Sequence, residues 1–135
     1  MKISDYFTLG ISILAILFSF GTWIKSRNDT TYDIFDITYL DILKVAIDNP
    51  SFRDHALTSN YLELFSDEER RKYEIYAFIC FNFCETIYDK GNRNLTKTWK
   101  PILAFEIQLH RCWFEKNENS ANFKKEFRDF IIDKL

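Results

Sequence analysis

Residues 6–24 read YFTLGISILAILFSFGTWI, nineteen residues with no charge among them. As an α-helix at about 1.5 Å per residue, such a run covers ~28 Å, close to the ~30 Å hydrocarbon layer of a bilayer. Lys2 and Asp5 stand before it and Lys25 and Arg27 after it. Tyr6 and Trp23 sit near its ends, where amphipathic rings favour the headgroup level. The expectation is a single transmembrane helix within an amino-terminal segment 1–27, followed by one domain over 28–135.

Ser19-Phe20-Gly21 offers a small-x-small cleavage pattern, but Lys2 is nearly cancelled by Asp5 and the apolar run continues to Ile24. Retention as an anchor is therefore expected, in place of removal as a signal peptide. Lys25 and Arg27 directly follow the span, so the positive-inside bias puts the amino terminus outside and the domain in the cytoplasm, at a cell inner membrane. Cys80, Cys84 and Cys112 are an odd set in apolar context, which suits a reducing compartment.

The anchor is patterned. Its hydroxyl side chains, Ser4, Thr8, Ser12, Ser19, Thr22 and Ser26, fall on one series with Ala15 in the remaining place. At about 100° per residue all seven lie within an arc of ~80°. Small residues let helices approach and hydroxyls bond between them, so the stripe points to a homo-oligomer, taken as a tetramer. Two uses of the stripe stand side by side: close packing without an opening, or a polar path for ions with Lys25 and Arg27 at its cytoplasmic mouth. No charged group lies within the span, which disfavours a proton relay or voltage sensor.

Beyond the anchor the pattern is all-α, a compact bundle of about five helices. Helical periodicity predicts a helix over 31–48 after a short break at 26–30. Its apolar face is Ile34, Ile37, Leu40, Leu43 and Ile47, with Asp33, Asp36, Asp41 and Lys44 toward water. A shorter helix is expected over 54–64. Ser66-Asp67-Glu68-Glu69 is a capping box opening a helix that Gly91 stops, apolar nearly all round from Tyr73 to Phe83. Thr98 is expected to cap a helix over 99–116 with Pro101 in its first turn, and Ser120 to start the last one. With 14 Phe, 7 Tyr and 3 Trp, the core is aromatic.

Chemistry-bearing residues are sparse. Cys80, Cys84, His110 and Cys112 are a conceivable zinc set, but their spacing is not a zinc spacing and buried thiols behave as small hydrophobes. No metal and no cofactor are expected. His110 and Glu106 are one helical turn apart, a base-plus-orienter arrangement that could serve a Cys112 nucleophile, and Glu85 with Glu106 could form a carboxylate pair. Phosphate loops, serine elbows and metalloprotease patterns are absent, so an enzyme is not expected. The stretch KGNRNLTKTWK holds Arg93, Lys97, Trp99 and Lys100, the best anion or nucleotide contact, with Trp99 for base stacking. A general nucleic-acid surface does not fit a net charge of -2.

Asp48-Asn49-Pro50 with Arg53, Phe83-Cys84-Glu85 with Tyr88, then Trp99, Trp113-Phe114, and Phe127 with Phe130-Ile131 recur in a familiar layout. The chain resembles small bacterial single-pass effectors of anti-phage defence, the Hailong channel effectors nearest among them. The resemblance implies an oligomeric ion channel, held closed by a nucleic-acid-like oligomer from a partner nucleotidyltransferase and released on infection to depolarise the cell. The competing class is a membrane-tethered interaction or sensor module without a pore.

Overall fold

The computed structural model describes residues 3–90 and 93–134, with side chains described at 13–27, 29–90 and 97–132. Among them the chain is all-helical: α1 (Ile3–Asp48), a 3₁₀ turn (Pro50–Arg53), α2 (His55–Thr58), α3 (Tyr61–Leu64), α4 (Asp67–Lys90), α5 (Arg93–Leu109), α6 (Arg111–Phe114), α7 (Asn117–Ser120) and α8 (Lys125–Lys134). Two compact units divide it, Met1–Asp36 and Ile37–Leu135. The break expected at 26–30 is absent. Thr30 and Thr31 turn their hydroxyls back onto the Ser26 and Arg27 carbonyls at 2.9 and 2.8 Å, so these polar residues are accommodated within a continuing helix.

In the second unit, α1 buries a different face from the one its hydropathy suggests. Ile42 and Ala46 are buried and Tyr39 half-buried, while Ile37, Leu40 and Ile47 are exposed; Ile34, in the first unit, is exposed as well. The ring of Tyr39 stacks on Phe83 at 5.6 Å and meets Trp99 edge-on at 5.8 Å. Aromatic packing of this kind outweighs the burial of one more aliphatic side chain.

Pro50 opens the 3₁₀ turn, whose Phe52 is buried against Phe65, Tyr73 and Tyr76. The helix expected over 54–64 is instead two single turns, α2 capped by the Asp54 side chain on the Ala56 amide, then α3. The capping box of α4 is present: the Ser66 amide donates to Glu69 Oε2 at 3.0 Å, and the Glu69 amide to Ser66 Oγ at 3.4 Å. α4 buries Tyr73, Tyr76, Ala77, Cys80, Phe81, Phe83, Cys84 and Ile87, but Ile75, Phe78 and Ile79 face outward, so it is a one-sided helix.

α4 packs along α5. α5 starts before Thr98 and carries Pro101 in its interior, where the ring removes the amide that would bond the Lys97 carbonyl. The helix expected over 99–116 ends at Leu109, because the His110 backbone (φ −111°, ψ 15°) leaves the helical region before α6 begins. The last helix starts at Lys125, not Ser120. Glu85 of α4 accepts from the Lys124 amide at 2.8 Å and so satisfies a free donor at the start of α8. Phe123 and Phe127 join Phe81, Trp113 and Phe114 in an aromatic cluster, with Phe81 and Phe114 stacked at 4.3 Å.

Candidate functional site

Glu106 on α5 is a buried carboxylate at the centre of a polar cluster in the second unit. Leu103, Glu106, Ile107 and His110 recur at i, i+3, i+4 and i+7 and are all buried, Glu106 at 1% and His110 at 0% exposure. A carboxylate on such a face must be compensated. Arg53, delivered by the 3₁₀ turn, donates from Nη1 to Glu106 Oε1 at 2.6 Å and to Oε2 at 2.8 Å. Tyr39 Oη donates to Oε1 at 2.8 Å. Arg53 also reaches Tyr76 Oη at 3.4 Å and packs its guanidinium over the Phe105 ring at 4.9 Å. Tyr73 Oη lies 3.0 Å from His110 Nδ1.

His110 Nε2 points at Glu106 Oε2 from 3.6 Å, beyond hydrogen-bond reach, and has no other partner. Cys80 of α4 completes the group: its sulfur, a Glu106 oxygen and a His110 ring nitrogen all lie within 4.8 Å of one another. Burial pushes the Glu106 carboxyl up, but His110, Arg53 and Tyr39 together outweigh it and hold the carboxyl below its ordinary value. Burial holds His110 below the usual imidazole value, with Glu106 opposing. The Tyr39 phenol is pushed up to about 12 by burial and by the Glu106 charge. Burial and Glu106 raise the Cys80 thiol, and burial raises Cys84 further from reactivity. The cluster is thus a neutral Arg–Glu pair with a neutral imidazole and thiol.

Sequence reading found Glu106 and His110 as a pair but missed Tyr39, Tyr73 and Tyr76. The available signal was a charged residue set among Leu103 and Ile107 on an apolar face. Glu85, the other half of the expected carboxylate pair, caps α8 instead. Cys80, not Cys112, joins His110.

Of the expected anion contacts, Arg93 lies outside the residues with described side chains, and Lys97 and Lys100 are exposed. Trp99 is 3% exposed and packs on Tyr39 and Phe83, so no face is offered for base stacking.

In the first unit, Ser4, Thr8 and Ser12 of the expected stripe lie outside the residues with described side chains, and Ala15, Ser19, Thr22 and Ser26 are exposed. Ala15 and Ser19 floor a shallow hollow walled by Ile16, Phe20 and Trp23. Thr22 donates to its own helix, to the Phe18 and Ser19 carbonyls at 3.1 and 2.9 Å. Lys25 is exposed, and Arg27 places its guanidinium over the Trp23 ring at 5.4 Å. Among the described residues no helix is long and apolar enough to cross a membrane; residues 6–12 of the uncharged run lie outside the residues with described side chains.

The chain matches no family model, no curated protein and no solved structure.

Proposed function

We propose that this chain is a homo-oligomeric membrane effector, anchored by residues 6–24 with its bundle in the cytoplasm, whose stripe-bearing helices assemble into a regulated ion-conducting pore. The observation that carries the reading is the surface of α1 after Ser12. Ile13, Leu14, Ile16, Leu17, Phe18, Phe20 and Trp23 are each at least half exposed, with Ala15, Ser19 and Thr22 along one side. Water does not favour such a surface; hydrocarbon and neighbouring copies do. The back-bonded Thr22 hydroxyl also suits a medium without water. The reading assigns no catalysis, and regulation comes through the bundle.

The test is the mass of the detergent-solubilised particle together with ion flux from vesicles. A multiple of the 16.2 kDa chain is expected, with flux lost in Ser12→Leu/Ser19→Leu while membrane insertion persists. A monomer, or unchanged flux from the double variant, overturns it. Grafting the bundle onto an unrelated anchor separates the tethered-module reading, in which function survives the swap.

A further inference from the structure

We propose that Cys80, Glu106 and His110 form a binding site for a borderline-soft divalent transition metal, zinc foremost, inside the bundle. The site does not depend on the membrane reading. Three donors of the right chemistry, from α4, from α5 and from the residue that follows it, converge with one ligand atom of each within 4.8 Å of the other two. Zinc bonds of about 2.0–2.3 Å in a tetrahedron put donors roughly 3.3–3.8 Å apart, so closure needs shifts of about 1 Å. Glu106 Oε2 and His110 Nε2 are already 3.6 Å apart, too far for a good hydrogen bond and right for sharing an ion.

The independent pointer is His110 Nε2. It is fully buried, faces Glu106 and has no hydrogen-bond partner, which is costly for a ring nitrogen in a protein interior. Its other nitrogen lies 3.0 Å from Tyr73 Oη; when Nδ1–H donates to that phenol oxygen, Nε2 keeps its lone pair for a metal, the outer contact typical of a liganding imidazole. Glu106 is likewise held from outside by Tyr39 and Arg53. A carboxylate has lone pairs enough to keep both and accept an ion. On binding, the Cys80 thiol loses its proton to solvent and the sulfur–metal bond forms; thiolate and carboxylate then offset the dication and the Arg53 charge is left as the net charge of the cluster. Arg53 is 23% exposed, so its charge stays in touch with water. A thiolate–imidazole–carboxylate set selects zinc or cobalt over magnesium or calcium, which take oxygen ligands.

The full chain, stripped by a chelator and titrated with Co²⁺, tests this. One ion per chain and a thiolate-to-cobalt charge-transfer band are expected, with the ion displaced by Zn²⁺. Cys80→Ser should abolish the band, and His110→Gln, which removes a ligand, should weaken binding by more than the roughly 10–100-fold that an outer contact is worth, while Cys84→Ala and Cys112→Ser keep both. Absence of stoichiometric binding, or a band that survives Cys80→Ser, overturns the site. X-ray absorption on the zinc-loaded unmutated chain decides independently of any variant's folding. One sulfur with nitrogen and oxygen neighbours is expected; a shell without sulfur overturns the proposal.

Discussion

Arg53 Nη1 donates to both carboxylate oxygens of Glu106, at 2.6 and 2.8 Å, across 53 positions of sequence and with the carboxylate 1% exposed. The pair fastens the 3₁₀ turn to α5 and turns an otherwise intolerable buried anion into part of the core. Breaking one side of such a pair strands a charge, which costs more than removing both.

Arg53→Met should therefore destabilise the bundle by about 3–5 kcal/mol in urea unfolding. Adding Glu106→Gln to it should recover part of that loss, since no charge then remains unpaired. A double variant as unstable as the sum of the singles would show that the two residues act separately.

Tyr39→Phe keeps the ring on Phe83 and Trp99 but removes the hydroxyl that donates to Glu106. A hydrogen bond to a charged group contributes about 1.5–3 kcal/mol, and that is the expected loss. Tyr39→Leu should cost more, because the ring contacts go as well. Equal losses for the two would assign Tyr39 a hydrogen-bonding role alone.

Acid should weaken the bundle in two stages. His110 and Glu106 both titrate below their ordinary values when folded, so the unfolded chain takes up protons first as pH falls. Their contribution is complete above the ordinary imidazole value of about 6.5 and is lost as pH drops from there toward the folded values. The His110 part goes first, and the Glu106 part follows below the ordinary carboxylate value of 4.5. Urea midpoints measured from pH 7.5 to 4 should fall accordingly, and His110→Gln should flatten the upper part of the curve. A midpoint that rises between pH 7 and 5 would contradict the neutral-imidazole arrangement.

The face of α1 is open to direct test. Ile42→Ala, at a position 4% exposed, should cost about 2–5 kcal/mol, as core truncations do. Ile47→Ala, at 77% exposed, should stay within about 0.5 kcal/mol. The reverse ranking would restore the face that hydropathy alone suggests. Thermal or urea unfolding of the two variants decides it.

Local chemistry was legible before any tertiary contact. The capping box at Ser66 and Glu69, the helical class of the described residues and their aromatic core all follow from short-range spacing, because caps and periodicity are settled within a turn or two of backbone; the stop expected at Gly91 lies outside the described residues. The start of α5 was misjudged because Pro101 resembles a first-turn proline, yet an interior proline is tolerated where packing holds the helix. Which side of α1 turns inward, why Trp99 is closed to ligands, and what neutralises Glu106 were decided only by folding. Each depends on partners far away in sequence: Tyr39 with Phe83, Trp99 edge-on to both, Arg53 with Glu106, Cys80 beside His110. Apolar residues are available on more than one face of these helices, so hydropathy does not rank them. Ring packing and the buried charge do: Tyr39 both stacks on Phe83 and donates to Glu106, a carboxylate that must be met by specific donors.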